Sequence, residues 1–260
     1  MVNEFIKFSV EDLVGKIILN RPEKYNSFVR EMALQMQNAL DKCANDKNIR
    51  AIFIAGEGKA FSSGQDLGEA IDPKGPGVKN IVDENYNPII KKIRAIEKPI
   101  VCAVNGVAAG AGANIALACD IVIAGTSSSF IQAFSKIGLI PDCGGTFFLP
   151  RLIGFGKATA LMMLAENVSA ADAEKMGMIY KVVEDEKLYG EAFSVAKTLS
   201  EMPTSGIGLT KKLLNQSTHH SLDQQLDAEG TEQAIAASTY DFQEGVKAFF
   251  EKRKPVFKGE

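Results

Sequence analysis

Three glycine-punctuated stretches hold the residues of this chain best suited to chemistry. The first, GEGKAFSSGQDL at residues 56–67, sets Ser62, Ser63 and Gly64 ahead of Asp66. Little side-chain bulk shields the main-chain amides of such a loop, so they are free to face a ligand. The second, NGVAAGAGAN at 105–114, joins a strand-like stretch, PIVCAV, to a helix-like one, NIALAC. The opening amides of a helix lack intrahelical acceptors, and gathered at the carboxyl end of a strand they suit an anion or an oxyanion. The third, GLIPDCGGTFFLPR at 138–151, embeds Asp142 among Ile140, Cys143, Phe147 and Phe148. Apolar surroundings raise a carboxyl pKa and fit the group for proton transfer. A fourth cluster, FFEKRKPVFK at 249–258, gathers Lys252, Arg253, Lys254 and Lys258, enough positive charge to meet a phosphate.

Each stretch also has a plainer reading. An ordinary strand-to-helix loop, close helix-to-sheet packing, a turn or cap at Pro-Asp, and a solvated helix face account for them in turn. A dinucleotide fingerprint fits the second stretch poorly, because Gly110-x-Gly112-x-x-Ile115 lacks the third small residue and Asp120 arrives too early to hold a ribose. Other chemistries are short of residues. His219 and His220 are the sole histidines, which leaves little for a Ser/His/Asp triad or a three-histidine metal site. Cys43, Cys102, Cys119 and Cys143 have no C-x-x-C spacing, so neither disulfides nor a metal centre is expected.

The elements that must position these loops follow an α/β pattern. Strands are predicted at 16–19, 49–54, 100–104, 121–124 and 179–183, interleaved with helical spacings. Met32, Met36, Leu40 and Cys43 mark the buried face of a first helix, with Asn26 and Ser27 as its candidate caps. Beyond Gly154 the pattern is mostly helical: GKATALMMLAE, a segment opening at Ser169–Asp172 with capping-box spacing, a face of Phe193, Ala196 and Leu199, and helices over 204–214, 222–237 and 242–252. A composition shift near residue 200 divides a strand-containing core, 1–200, from a helical region, 201–260.

The 260 residues, 46% hydrophobic and 23% charged, suit a globular chain with a sizeable core rather than a disordered one. A net charge of -3 gives no general attraction for phosphate backbones, so no nucleic-acid partner is expected. The opening, MVNEFIKFSV, does not read as an export signal, and a cytoplasmic setting is expected. Residues 99–119 carry no charge, yet Asn105, Gly106, Gly110, Gly112 and Asn114 break the run into strand, turn and buried helix, so no membrane span is expected.

Taken in order, ILNRPEKYNSF, AFSSGQDL, NGVAAGAGANIALACDIVIA, FSKIGLIPDCGGTFFLPRLIG and EGVKAFFEKRKPVF resemble the enoyl-CoA hydratase/isomerase, or crotonase, family over nearly the whole chain. The resemblance implies an α/β spiral of ββα units with a helical C-terminal trimerisation region, an acyl-CoA thioester substrate, and a homotrimer or a dimer of trimers. CoA is then part of the substrate, and no separate cofactor or metal is implied. Motif matching puts the two oxyanion-holding amides at Gln65 and Ala111, the second where many relatives have glycine. It puts Lys24, Tyr25, Ser63, Asp66 and Leu67 against the CoA or the acyl chain, and Phe249 and Lys252 of a neighbouring subunit against the nucleotide end. Hydratases of the family carry glutamates at the positions of Asn114 and Phe134. Isomerases carry their acid/base at Asp142. The implied reaction is therefore a double-bond shift in an acyl-CoA, on a ring epoxide of an arylacetyl thioester first and a linear 3-enoyl thioester next, with Phe134, Phe147 or Phe148 as candidate walls for a flat ring. Hydration and silent acyl-CoA binding are the alternatives.

Overall fold

The computed structural model describes residues 4–260. Two N-terminal strands, β1 (Ile6–Glu11) and β2 (Val14–Leu19), pair antiparallel, and helix α1 (Arg30–Asn45) follows. The chain then repeats one pattern: a strand in a large sheet, a short link, a strand in a small sheet, and helical cover. Strands β3 (Ala51–Gly56) and β4 (Ala60–Ser62) open one pass, β5 (Ile100–Val104) and β6 (Val107–Ala109) the next, and β7 (Ile121–Gly125) and β8 (Ser129–Ile131) another. Strands β9 (Asn167–Ser169) and β10 (Lys181–Val183) complete the sheets, whose orders are β1-β2-β3-β5-β7-β10 and β4-β6-β8-β9. This is the layered ββα spiral that the motifs imply.

Burial on both faces of the large sheet explains why its central strands read as unbroken apolar runs. In β3, Ala51, Phe53 and Ala55 join one core with Leu188, Ala192 and Ala196 of helix α9 (Leu188–Ser200), while Ile52 and Ile54 face the other core with Met32, Met36 and Leu40 of α1. That alternation is the two-residue period of a strand.

Helical cover differs from pass to pass. The first carries α2 (Leu67–Ala70), α3 (Gly77–Asn80), a π-helical segment Ile81–Tyr86 and α4 (Asn87–Ala95). The second carries only α5 (Ala111–Leu117), every residue of which is buried. The third carries a 3₁₀ turn, Ala133–Ile137, then α6 (Gly145–Ile153) and α7 (Phe155–Leu164). Helix α8 (Ala170–Lys175) is capped by Ser169, whose hydroxyl accepts from Asp172 N–H and donates to the Asp172 carboxylate, so the predicted capping-box spacing gives the first half of that motif. Helices α10 (Thr204–Gln216), α11 (Leu222–Ala237) and α12 (Tyr240–Glu251) end the chain.

Helix α10 is fastened by buried charge. Lys211 Nζ donates to Ile93 O at 2.7 Å and pairs with Asp120 at 2.8 Å, and Arg94 holds the other Asp120 oxygen at 2.9 Å. Burial pushes the Lys211 pKa down, with Asp120 opposing. Among the described residues no helix is long and apolar enough to cross a membrane, and all four cysteines are buried and unpaired.

Three local expectations need correction. Strand β3 starts at Ala51, not residue 49, and Arg50 beside it reaches across to Thr204 Oγ1 and to the carbonyls of Met202 and Phe257. Strand β10 is shorter than the 179–183 run. Asn26 and Ser27 do not cap α1. They bind Arg21, and Asn26 also donates to the carbonyls of Glu57 and Ala60. The first free amide of α1, Arg30 N–H, is instead met by the distant Glu69 carboxylate at 2.9 Å.

Candidate active site

Backbone geometry leaves one amide of the first loop free. Phe28 N–H donates to Gly64 O and Asp66 N–H donates to Phe28 O, a parallel bridge centred on Gln65. In such a bridge the N–H of the central residue points to the opposite side, so Gln65 N–H is directed away from Phe28. Its side chain is held on both atoms: Tyr86 Oη donates to Gln65 Oε1 at 2.7 Å, and Gln65 Nε2 donates to Glu69 Oε2 at 2.9 Å. Glu69 thus grips both Gln65 and the start of α1.

A second amide arises at the opening of α5. Ala111 is the first residue of that helix, so its N–H has no intrahelical acceptor. Gly110 before it has φ 52° and ψ −125°, backbone that suits glycine alone. Glycine also lets the two loops meet. A Cβ on Gly64, itself at φ +89°, would lie 2.8 Å from Ala109 O and 3.3 Å from Ala111 N, and one on Gly112 would lie 2.6 Å from Ser62. The segments bearing Gln65 and Ala111 are therefore in direct backbone contact.

The third component lies between the 3₁₀ turn and α6. Asp142 Oδ1 is buried and has no hydrogen-bond partner among the described residues. Burial raises its carboxyl pKa, while the Cys143 thiol and the residue's own N–H oppose the shift. Tyr86 is fully buried nearby, and its phenol is pushed well above the usual range by burial and by the proximity of Cys143 and Asp142.

Gln65, Ala111 and Asp142 line one cavity of about 590 Å³, within the size range of small-molecule sites. Its apolar wall includes Leu67, Val78, Ile81, Phe134, Ile137 and Leu139, and Lys24 and Ser63 also line it. Asp66 lines it too, but its carboxylate is occupied by Arg21 at 2.7 Å and by Gly68 N–H at 2.9 Å. Burial alone would raise the Asp66 pKa, and Arg21 reverses that to hold it below the usual carboxylate range. Asp142 is thus the carboxyl group of the cavity wall that remains without an ion partner among the described residues.

Other expected residues lie elsewhere. Tyr25 has φ 50° and an exposed side chain outside the cavity wall, and it contributes a carbonyl that accepts from Ser63 N–H. Of the candidate aromatic walls only Phe134 lines the cavity, where its ring faces Gly110. Phe147 lies against the Arg151 guanidinium at 3.6 Å and Phe148 packs on Gly144, because α6 turns both away. Asn114 is buried beside the Asp142 loop rather than in the cavity wall. Phe249 lines a separate apolar groove with Phe242 and Phe257, and Lys252 ends α12. Neither reaches this cavity within one chain. Arg253 and Lys254 of the basic cluster are paired internally with Glu244, Glu251 and Glu201. Tyr86 and Glu69 have no signal in the sequence, because their contacts join segments that only the fold brings together.

The arrangement offers two free amides from loops in contact, one carboxyl group with a raised pKa, and an apolar chamber. Such a set can polarise a carbonyl oxygen and move a proton on a carbon beside it.

Comparison with known proteins bears on that chemistry. Residues 9–260 match the family described as Enoyl-CoA hydratase/isomerase. The chain is 46% identical to the 1,2-epoxyphenylacetyl-CoA isomerase of Escherichia coli (strain K12), covering 98% of this chain and 99% of the relative. It is 37% identical to the trans-2-decenoyl-acyl-carrier-protein isomerase of Streptococcus mutans, covering 98% of each. The crystal structure of an enoyl-CoA hydratase from Bacillus anthracis superposes with a TM-score of 0.92 at 31% identity, covering 98% of this chain and 100% of that one.

Proposed function

The chain belongs to the enoyl-CoA hydratase/isomerase family, and from that premise we propose that it shifts a carbon–carbon double bond in an acyl-CoA thioester. The observation that carries this reading is the presence of Gln65, Ala111 and Asp142 on the wall of one cavity, with Asp142 its one unpaired carboxyl group among the described residues.

In the proposed mechanism the thioester oxygen sits between the N–H groups of Gln65 and Ala111. Asp142, as the carboxylate, takes a proton from the carbon next to the thioester. The released electron pair delocalises onto the thioester oxygen, and the two amides stabilise the resulting charge without reorganising. For a 3-enoyl substrate the dienolate then recovers the proton two carbons further on, giving the conjugated 2-enoyl thioester and an ionised Asp142. Nothing is oxidised or reduced, and one acid/base suffices.

Hydration needs a group to activate water and a group to deliver a proton. The two positions that would supply glutamates hold Asn114, tied up beneath the Asp142 loop, and Phe134, which lines the cavity. The preferred substrate in this reading is the ring epoxide of phenylacetyl-CoA. It is supported by the 46% identity to a named isomerase of that compound and by the aromatic face of Phe134. For that substrate the carbon–carbon bond shared by the epoxide and the six-membered ring breaks as its electrons become ring double bonds of a seven-membered oxygen ring, and the proton lost beside the thioester returns on a ring carbon, so the product is an isomer of the substrate. Lys24, Ser63, Leu67 and the main chain at Asp66 would flank the pantetheine and acyl chain, with Tyr25 at the outer rim. Phe249 and Lys252 would act on the nucleotide end from a neighbouring subunit of a trimer.

The test is an ultraviolet assay of conjugation with 3-enoyl-CoA, beside one following ring expansion of the epoxide. Isomerisation without comparable hydration of 2-enoyl-CoA is the expected result. Rapid hydration with no shift activity, or tight acyl-CoA binding with neither reaction, overturns the reading.

A further inference from the structure

Asn114 sits on α5, in the turn after Ala111, and both ends of its amide are used. Its Nδ2 donates to the main-chain carbonyl of Asp142 at 2.9 Å, and its Oδ1 accepts from Gln132 Nε2 at 2.8 Å. All this is buried: Asn114 is 1% exposed and Gln132 5%. The same Asp142 carbonyl accepts from Gly145 N–H at 2.9 Å, so it is held by two donors.

Two further observations mark the contact as built. Gly145 packs directly on the Asn114 amide: a Cβ there would lie 2.3 Å from Nδ2 and 2.8 Å from Cγ, so no other residue leaves the amide in place. The residues between the anchored carbonyl and Gly145, Cys143 at φ 51° and Gly144 at φ 71°, are both left-handed. For a buried cysteine that conformation is strained, and such strain persists only where the surroundings over-determine it.

The geometry points to Asn114 as a positioning residue that locks the Asp142 loop onto α5, holding the proton-transferring carboxyl at a fixed place relative to the Ala111 amide of the same helix. The inference rests on the functional reading above. An aspartate or a glutamate at this position would have no N–H for the Asp142 carbonyl, and would set a second negative charge beside the first. An alanine would leave that carbonyl with Gly145 alone.

The test uses the full chain and 3-enoyl-CoA isomerisation, with Asn114→Asp as the near-isosteric variant without a donor. Because a displacement of about 1 Å at a reacting group can remove roughly a hundredfold in rate, kcat is expected to fall about tenfold to a hundredfold. KM and the Kd for a saturated acyl-CoA are expected to stay within about threefold, a split that general loosening of the cavity would not produce. Gln132→Met, which keeps Asn114 but frees its amide to rotate, is expected to lower kcat in the same direction by a smaller factor, and it decides the matter if Asn114→Asp does not fold. Wild-type kcat in a folded Asn114→Asp chain, or a matching loss in acyl-CoA affinity, overturns the brace while leaving the functional reading intact. A wild-type chain that does not isomerise at all removes both.

Discussion

Replacing Asp142 by asparagine separates the chemistry of the site from its stability. The substitution keeps shape and hydrogen-bonding capacity but removes the ability to carry a proton. General acid/base catalysis contributes about 10²- to 10⁴-fold, and each factor of ten is about 1.4 kcal/mol, so the barrier should rise by roughly 3–5 kcal/mol. Asp142 Oδ1 is buried without a partner among the described residues, and burial raises the carboxyl pKa above its ordinary value of 3.8. Below that ordinary value the group is protonated in both folded and unfolded chains, and the burial of charge has no effect. As pH rises through the interval up to the folded pKa, the unfolded chain ionises first and the native state loses stability relative to it. Above the folded pKa that loss is complete. The asparagine variant has no such loss, so the thermal midpoint of Asp142→Asn minus that of wild type should grow as pH is raised from about 4 to neutrality. Steady-state kinetics with 3-enoyl-CoA, calorimetric binding of a saturated acyl-CoA, and thermal melts across that pH range make up the assay. A variant that keeps a third or more of wild-type kcat refutes the proton-transfer role, and a midpoint difference independent of pH refutes the account of the buried charge.

Gly64→Ala should swing the Gln65 amide, because the new methyl would meet Ala109 O at 2.8 Å from a backbone at φ +89°; a loss of about 10²–10³ in kcat, the effect of removing one oxyanion donor, is expected in single-turnover assays, and wild-type kcat would count against the donor pair. Tyr86→Phe leaves Gln65 Oε1 without its 2.7 Å donor and should destabilise the fold by about 0.5–1.5 kcal/mol in urea titration. Lys211→Met leaves Asp120 with Arg94 and the Ile100 N–H but takes the ammonium from Asp120 and from the Ile93 carbonyl, and should reduce stability by roughly 1–3 kcal/mol, with KM for acyl-CoA nearly unchanged in the protein that remains folded.

What is legible in the sequence follows from what local pattern encodes. Strands β5 and β7, buried on both faces, read as apolar runs, and helix α1 shows itself through Met32, Met36, Leu40 and Cys43 at helical spacing. Strands β6, β8 and β9 escape the pattern, since segments as short as Val107–Ala109 are too brief to display a period. The α1 caps are misplaced because Asn26 and Ser27 satisfy the local rule, yet Arg21 claims them and Glu69, far along the chain, serves the helix. Gln65, Ala111 and Asp142 are reached from motif order, and their sharing of one cavity is a fact of the fold. The rings of Phe147 and Phe148 face away, because adjacency to Asp142 in the chain does not set the rotation of α6.

The small sheet sets the spacing of the three segments that line the cavity. Strands β4, β6 and β8 run parallel as immediate neighbours, so their chain exits emerge side by side, about 4.8 Å apart in rank order. Gln65 follows the first exit, Ala111 the second, and Asp142 lies downstream of the third. In the proposed mechanism two rungs of this staircase hold the thioester oxygen and the next carries the acid/base. Because the proposed grip on the carbonyl is made of peptide backbone, a side-chain change at position 65 or 111 leaves its donors in the chain, whereas a change at position 142 takes the acid/base away.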